Sequence, residues 1–450
     1  MTQSSSMVNL TVTAWTGMTI RNIFHGSILD ELTKHFNVTL LSYYGEQLKQ
    51  NSAEVSKRLT HDRVRIPRWQ MPKLQGRLIS LLLEWDFHAM WLKHSPRTMA
   101  KRIHLQKESH PFSFVLNQLG GRFVNYLRND REYDWLRDAA YFLPSSVVGQ
   151  QEILMVTTTD LAKDRMLLYS CKKLGLPVVA LVHSWDNLPG RGLLPAIPDR
   201  LLVWNEFMVE EGVTLHNVPR DRIDVIGGAQ YELYRKLSPT LNIEQFRRRL
   251  DIPEQARILT FTAEAIEGTP DEPYFVDALI DLVSNRSFGN AVLVLRVHPS
   301  DRRSFYREKF SDSKLPIRLD IPDDGFAAEN RSSIGQLESI KQFVELMKFS
   351  DVIITGGSTI ALDAMLFDTP VISVKFNLTI DKTSWNSAHV GHTTNHFSRI
   401  SNSGAIYRPE NMEDFKHDVL TCLNSPEEKR LERQNIVNQT IPDLPTAHLV

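Results

Sequence analysis

A turn of four small residues near position 357 has the composition of an anion-binding site. It consists of Gly356, Gly357, Ser358 and Thr359. The run before it, 351–355, is short, apolar and β-branched, which predicts a strand buried in a parallel sheet; the run after it predicts a helix. Free N–H groups and the dipole at the amino end of a helix favour negative charge. The turn could therefore hold phosphate groups, although an ordinary strand-to-helix turn capped by Ser358 has the same composition.

Polar and aromatic residues also follow the predicted strand 177–182. They are His183, Trp185, Asp186 and Asn187. Ligands of open α/β sheets bind outside the carboxyl ends of the strands, so these side chains could bind an acceptor or activate it, with Asp186 or His183 as the base. The alternative is structural, with Trp185 as a core side chain and its polar neighbours capping a turn.

A third set of polar residues lies in the first predicted turn, after the strand 8–15. Thr19, Arg21 and Asn22 could contact a substrate from that turn, or could serve only as turn residues with a solvated arginine. The dinucleotide-binding pattern G-x-G-x-x-G is absent from this turn.

Composition excludes several classes of protein. The chain has 450 residues, 42% hydrophobic and 23% charged residues, and a net charge of −1, which is typical of a globular protein without an electrostatic preference for nucleic acid. Its two cysteines form neither a disulfide framework nor a zinc site, and the spacing of His389, His392 and His396 is too irregular for a metal site. We find no signal peptide and no apolar run of transmembrane length, and we expect a cytoplasmic protein without a metal.

Residues 49–107 differ from the rest of the chain. They contain 13 Lys or Arg residues against four acids, interleaved with tryptophans. A basic helical segment of this kind could lie on an anionic membrane surface or hold an anionic acceptor. The alternative is a set of helices that pack on the first domain and expose a solvated basic face.

Strands and helices alternate in both halves of the chain, with a break near residues 232–242. This alternation predicts an α/β fold of two Rossmann-like domains facing each other across a cleft. We assign residues 1–232 to a first Rossmann-like domain, with a basic helical insertion at about 49–107. Residues 233–450 are assigned to a second Rossmann-like domain.

Several short motifs occur in an order that resembles one group of enzymes. They are His183-Ser-Trp-Asp-Asn187, a strand ending in Trp204, Asp224-Val-Ile-Gly-Gly228, Arg296-Val-His-Pro299 and Ser350–Thr359. The series, over roughly residues 150 to 440, resembles bacterial surface-polysaccharide glycosyltransferases of the GT-B fold, including the CDP-glycerol glycerophosphotransferase-like group. It is more distantly similar to hydrolysing UDP-GlcNAc 2-epimerases. The CDP-glycerol transferases carry Trp-His-Gly where this chain has Ser184-Trp-Asp, which favours a sugar as the group transferred.

The resemblance implies a nucleotide-donor domain over residues 233–450 and an acceptor domain over residues 1–232. Gly357, Ser358 and Thr359 match the turn that holds the donor phosphates. Asp363 stands where relatives often carry a ribose-binding Glu, and His298 matches a His-Pro element implicated in catalysis. Arg296 could neutralise the diphosphate of the leaving group, and Glu264 could face the donor.

These observations predict a metal-independent glycosyltransferase that needs no cofactor beyond its nucleotide-activated sugar. The expected acceptor is a surface polysaccharide or glycolipid, such as capsule or lipopolysaccharide, at the cytoplasmic face of the inner membrane. Three alternatives stay open: a CDP-polyol phosphotransferase, a UDP-sugar 2-epimerase, and a nucleotide-sugar-binding protein without catalysis.

Overall fold

The chain divides into two compact units. The computed structural model describes residues 7–42, 73–127, 134–143, 152–264, 269–298, 305–310, 315–322 and 337–444. The first unit comprises residues 1–230 and 442–450, and the second comprises residues 231–441. The boundary after Gln230 lies two residues before the predicted domain change. Residues 442–444, predicted to belong to the second domain, return to the first unit, where a Cβ atom at Gly227 would lie 3.1 Å from the Pro442 carbonyl oxygen.

A parallel six-stranded sheet forms the centre of the first unit in the described residues, in the order β2-β1-β3-β4-β5-β6. Its strands are β1 Val8–Thr13, β2 Phe36–Leu41, β3 Ile153–Val156, β4 Val178–Leu181, β5 Arg200–Val203 and β6 Ile223–Val225. The chain runs from β1 to β2 and then returns to β3 on the other side of β1. The crevice between the carboxyl ends of β1 and β3 is therefore the topological switch point, where such sheets bind ligands.

Helices connect these strands and extend the unit. They are α1 Gly17–Phe24, α2 Ile28–His35, α3 Lys73–His94, α4 Arg97–Ser109, α5 Pro111–Leu127, α6 Asp134–Tyr141, α7 Ala162–Lys173, α8 Asn187–Gly190 and α9 Glu206–His216. The prediction that Thr19, Arg21 and Asn22 lie in a turn was wrong, because these residues are helical. Helix α1 already begins at Gly17, where the Thr16 hydroxyl caps it by accepting a hydrogen bond from the Thr19 N–H.

The described part of the basic insertion, residues 73–107, is helical, and residues 49–72 lie outside the described residues. Helix α3 is joined to the sheet helix α7 by a buried ion pair. Arg165 Nη2 lies 2.7 Å from Asp86 Oδ2, and the guanidinium also donates to the Leu193 carbonyl at 2.6 Å. Both charged side chains are about 1% exposed. The insertion is therefore part of the first unit's core.

The described part of the second unit contains a five-stranded parallel sheet in the order β11-β10-β7-β8-β9. The strands are β7 Arg257–Thr262, β8 Ala291–Arg296, β9 Ile317–Asp320, β10 Val352–Thr355 and β11 Val371–Ser373. The Val, Ile and Leu side chains of β7, β8, β10 and β11 are buried on both faces, as expected for a parallel sheet covered by helices. The switch point lies between β7 and β10, since the chain leaves β7 towards β9 and returns on the opposite side.

Helix α10, Ala229–Leu237, spans the boundary between the units. The helices that follow are α11 Ile243–Arg249, α12 Glu272–Ser284, α13 Phe305–Lys309, α14 Leu337–Phe349, α15 Ile360–Met365, α16 Ala388–Gly391, α17 Phe397–Ser401, α18 Met412–Asn424 and α19 Arg430–Thr440. Strand β9 was not predicted from the sequence. Its short charged sequence gives little strand signal, and pairing with β8 supplies the stability.

No helix in the described ranges is both long enough and apolar enough to cross a membrane.

Candidate functional site

The predicted phosphate turn lies at the switch point of the second unit. It follows β10, whose neighbour β7 ends just before Glu264. A Cβ atom at Gly356 would lie 2.8 Å from Glu264 Oε1, so the turn and this carboxylate are in direct contact. Any side chain at position 356 would displace Glu264.

The second glycine of the turn is required by a close backbone approach. A Cβ atom at Gly357 would lie 2.8 Å from both the Cα and the carbonyl carbon of Gly391. Real Cβ atoms do not approach backbone atoms this closely, and backbone cannot swing aside as a flexible side chain can. Helix α16, which contains Gly391, therefore fixes the turn from one side.

A buried hydrogen-bond network fixes the backbone of the turn. The Ser373 hydroxyl donates to the Gly356 carbonyl at 2.6 Å, and His392 Nε2 lies 3.2 Å from that hydroxyl and 3.1 Å from the Val374 carbonyl. Because a carbonyl can only accept, Nε2 carries the proton, and Nδ1 accepts from the Ser401 hydroxyl at 2.9 Å. His392 is therefore a neutral positioning residue that fixes the backbone of the turn.

The buried imidazole predicts a specific pH dependence of stability. Burial lowers the pKa of His392 to about 4. Between pH 6.5 and 4 the unfolded chain binds the proton and the folded chain does not, so this group's contribution to stability is lost as the pH falls. We expect it to remove about 3 kcal/mol across that window. Urea denaturation at several pH values of wild type and His392→Gln measures the difference between them.

The surface control for that experiment is His417→Gln, at a side chain that is 80% exposed. Because Asp164 in the first unit has its pKa raised to about 6 by burial, its contribution changes with pH in the opposite sense. Only the difference between wild type and variant isolates His392. Parallel pH profiles for wild type and His392→Gln would contradict the assignment.

Two further acids near the turn were not predicted as site residues. Asp271 accepts hydrogen bonds from the backbone N–H groups of Leu378 at 2.6 Å and Thr379 at 2.8 Å, and so ties the loop after β11 to the start of α12. Glu272 is buried and accepts from the Glu264 N–H at 2.9 Å. Burial and the neighbouring Glu264 raise the pKa of Glu272 well above its ordinary value. The site therefore accommodates a second acid beside Glu264 without adding a full second charge.

Two predicted site residues belong to β8 and the segment after it. Arg296 Nη1 is paired with Asp320 Oδ2 at 2.6 Å, and Arg249 Nη1 donates to the other oxygen of the same carboxylate at 3.0 Å. The Arg296 guanidinium therefore has a structural partner on β9, and its role towards a diphosphate stays a prediction. His298 is half-buried at the carboxyl end of β8 and also stays a prediction.

The remaining donor-site predictions lie on the turn and on α15. Ser358 and Thr359 are half-buried, and the Ser358 hydroxyl accepts weakly from the Ile360 N–H at 3.5 Å. Asp363 is buried on α15. Of the six predicted donor residues, the structure brings Glu264, Gly357, Ser358 and Thr359 to one edge of the sheet.

The first unit brings a second group of charged residues together around His183. This buried imidazole follows β4, and the carboxylates of Asp160 and Asp186 and the guanidinium groups of Arg191 and Arg21 act on it electrostatically. Burial lowers the pKa of His183 below its ordinary value, against the opposing effect of the two carboxylates. Within the described residues its Nδ1 atom has no hydrogen-bond partner. A neutral imidazole of this kind can accept a proton from a hydroxyl group.

Ion pairs and hydrogen bonds orient the groups around His183. Arg191 lies 3.8 Å from Asp160 and 3.7 Å from Asp186, and Arg21 donates to the Gln230 side chain at 2.5 Å. Asp160 and Arg191 were not predicted, because they lie on separate loops that meet only through the parallel sheet. Asp186 also accepts from the Ser184 hydroxyl.

The other predicted acceptor residues are buried, and Asn187 makes a hydrogen bond within its own turn. Trp185 is buried, and Asn187 accepts the Ser184 N–H at 3.1 Å, which agrees with the alternative of a capped turn. Thr19 and Asn22 are buried on α1. Their roles towards an acceptor stay predictions.

A buried carboxylate connects the two segments that meet at the switch point of this sheet. Asp164 on α7 accepts from Trp15 Nε1 at 2.6 Å and from the Thr158 N–H at 2.8 Å. It thereby joins the segments that follow β1 and β3. Across the described ranges no group of three or more His, Cys, Asp or Glu residues is arranged to hold a metal ion.

Comparison with known proteins gives a fold and not a family. No protein-family model and no curated protein matches the chain. The chain is similar to solved structures at 12–14% sequence identity. UDP-GlcNAc 2-epimerase from Neisseria meningitidis, bound to UDP-GlcNAc, has 14% identity and a TM-score of 0.55 over 98% of each chain. The same enzyme from Methanocaldococcus jannaschii has 12% identity and a TM-score of 0.50 over 95% of this chain and 98% of that one.

A glycosyltransferase from Rickettsia africae ESF-5 has 13% identity and a TM-score of 0.50 over 98% of this chain and 97% of that one. At these identities the likeness establishes the fold. The chain has the α/β fold of two Rossmann-like domains called GT-B, and the resemblance predicted from its motifs is confirmed at that level.

Proposed function

We propose that the protein is an enzyme that acts on a nucleotide-activated sugar and transfers the sugar to an acceptor hydroxyl. The observation that carries the proposal is the Gly356–Thr359 turn at the switch point of the second unit. Helix α16 packs against it, and the hydrogen bonds of Ser373 and His392 fix its backbone, so its geometry is set before any ligand binds. Preorganised N–H groups at such a point suit the phosphates of a nucleoside diphosphate.

In this proposal the second unit binds the donor. The N–H groups of the turn and the hydroxyls of Ser358 and Thr359 hold the two phosphates. Glu264 carries negative charge and would repel a phosphate, so we assign it to a sugar or ribose hydroxyl, from which it accepts a hydrogen bond. Asp363 and Arg296 are assigned to the ribose and the leaving phosphate, and His298 to the reacting groups.

The first unit supplies the base. His183 takes the proton of the acceptor hydroxyl as that oxygen attacks the anomeric carbon and the bond to the diphosphate breaks. Asp160 and Asp186 stabilise the imidazolium that forms. The resemblance of the motifs to surface-polysaccharide transferases supports a glycan or glycolipid as the acceptor.

A second function, UDP-sugar 2-epimerisation, is favoured by the fold that the chain shares with UDP-GlcNAc 2-epimerases. An epimerase changes or releases its sugar without an acceptor. The two functions are separated by incubating the protein with UDP-GlcNAc alone and identifying the products by mass spectrometry. A changed or freed sugar without acceptor would favour the epimerase. A sugar nucleotide consumed only when a glycan acceptor is added would favour the transferase.

Nucleotide binding gives a direct prediction for the turn. We expect one of UDP, GDP, dTDP, CDP or CMP to stabilise the protein selectively in a thermal-shift titration. A ligand at 100 times its Kd stabilises the folded state by about 2.7 kcal/mol. Ser358→Ala plus Thr359→Ala removes two hydroxyl donors and should abolish most of that shift.

The matched control is Ser284→Ala plus Ser287→Ala, which removes two exposed hydroxyls at the opposite end of helix α12 in the same unit. It should leave the shift unchanged. Selectivity for CDP or CMP would favour a polyol phosphate or an acidic sugar as the transferred group. A protein that binds nucleotide but turns over no sugar nucleotide, even with acceptor, would favour the non-catalytic alternative.

A further inference from the structure

Helix α5, Pro111–Leu127, carries several large apolar side chains on the side that faces solvent. Six large side chains at helical spacing are exposed to solvent: Phe112, Val115, Leu116, Leu119, Phe123 and Tyr126. Phe112 is 77% exposed and Tyr126 82%. We refer to these six residues as the apolar face of α5. Large contiguous apolar surfaces on a folded protein normally mark a site of interaction.

The opposite side of α5 makes most of the contacts with the rest of the unit, through polar side chains, glycine and the buried Val124. Gln118 Nε2 donates to His88 Nδ1 at 3.0 Å, and Asn125 Nδ2 donates to the Ala89 carbonyl at 2.9 Å. A Cβ atom at Gly121 would lie 2.8 Å from the Ala89 backbone nitrogen, so the two helices touch through that glycine. The helix is therefore fixed with this side inward, and rotation to bury the apolar face would break these contacts and expose Val124.

The charge of the residues around the apolar face indicates which kind of partner binds it. Residues 97–127, which form α4 and α5, contain five Lys or Arg residues and one acid, Glu108, in a chain whose net charge is −1. Lys107 and Arg122 are exposed. Apolar side chains flanked by basic ones are the pattern of a helix that lies in the interface of an anionic membrane.

A second copy of this chain fits less well. A symmetric dimer through α5 would bring the same basic residues of the two copies together, and like charges oppose such an interface. We therefore propose that the α4–α5 helix pair docks the protein on an anionic lipid surface, with the apolar face of α5 inserted among the acyl chains. The proposal is independent of the reaction that the enzyme catalyses.

Vesicle flotation of the full-length protein tests the proposal. The probes are vesicles of phosphatidylcholine alone and of phosphatidylcholine mixed with phosphatidylglycerol. Wild type should bind the mixed vesicles more tightly, and the preference should decline at high salt. Phe112→Gln, Leu116→Gln and Leu119→Gln together should lower the partition coefficient by about tenfold or more, because they remove the inserted apolar surface. Lys107→Gln plus Arg122→Gln should weaken binding to the mixed vesicles only.

The matched control is Tyr274→Gln, Leu420→Gln and Leu431→Gln, which replaces three exposed apolar side chains of the second unit. It should bind as wild type does. Because all the substituted side chains are exposed, the far-UV circular dichroism spectrum should not change, and it shows whether each variant folds. Absence of wild-type binding to the mixed vesicles, or equal binding by the α5 variant, would overturn the proposal. A wild-type dimer that the α5 variant dissociates without losing vesicle binding would overturn it in favour of self-association.

Discussion

Asp86→Ala is expected to destabilise the first unit by about 3–5 kcal/mol, because it leaves the guanidinium of Arg165 buried without its carboxylate. Both side chains are about 1% exposed, and their N–O distance is 2.7 Å. Tyr141 OH also donates to this carboxylate, at 3.3 Å. Urea denaturation followed by tryptophan fluorescence measures the loss well, since seven of the eight tryptophans belong to the first unit.

Glu206→Ala is the matched control in the same unit. Glu206 pairs with Arg220 at 3.1 Å, but the two side chains are 71% and 56% exposed. Exposed pairs contribute less than about 1 kcal/mol, so the urea midpoint should hardly change. Equal effects of Asp86→Ala and Glu206→Ala would contradict the view that the ion pair fastens the helical insertion to the sheet.

His183→Gln is expected to lower kcat of sugar transfer by about 10²- to 10⁴-fold, the range that a positioned general base contributes. The substitution keeps a polar side chain of comparable length but removes the group that accepts the proton. Because burial lowers the pKa of His183, the imidazole takes up its proton at a lower pH than an ordinary histidine does. The acid limb of the kcat/KM profile of wild type should therefore lie below pH 6.5, and the variant should lack that limb.

The control for this experiment is His417→Gln at an exposed side chain on α18, which should retain wild-type kinetics. Nucleotide binding by His183→Gln should also be unchanged, since the donor is assigned to the second unit. A value of kcat within about twofold of wild type would remove His183 as the base. The pH profile would then show whether His298 or Asp186 takes that role.

The alternation of strands and helices was predictable because buried parallel strands have a strong signal. Their apolar β-branched runs stand out, as in β10, Val352–Thr355, which lies within the predicted strand 351–355. Strand β9 was missed because its stability comes from β8 and from the ion pair of Asp320 with Arg296, which are distant in sequence. Helix α1 was missed because its polar residues Thr19, Arg21 and Asn22 have the composition of a turn.

Site residues could be predicted only where residues next to them in the sequence define their position. The small residues of the Gly356–Thr359 turn follow a strand and precede a helix, so their position at the sheet edge could be inferred. The residues that fix the turn, Gly391 and His392, could not be inferred, because they lie more than 30 residues later in the chain. Asp160 and Arg191 meet His183 only through strand order, which a single sequence does not specify.

The apolar face of α5 is exposed to solvent, whereas the usual helical pattern would place it against the core. Apolar side chains at helical spacing normally predict the side that faces the core. In α5 the two adjacent glycines reverse this expectation, since Gly120 and Gly121 allow the closest approach of the helix to α3. The contacts of Gln118 and Asn125 and the burial of Val124, which together set the orientation, are visible only in the folded chain.

Hydrogen–deuterium exchange with and without nucleotide tests most directly whether the Gly356–Thr359 turn binds phosphate. The nucleotide used is the one that stabilises the protein selectively in the thermal-shift titration. We expect it to slow exchange in peptides covering residues 356–360, because backbone N–H groups that bind phosphate are protected from solvent. Nucleotide binding that leaves these peptides unchanged, with protection confined to the first unit, would contradict it.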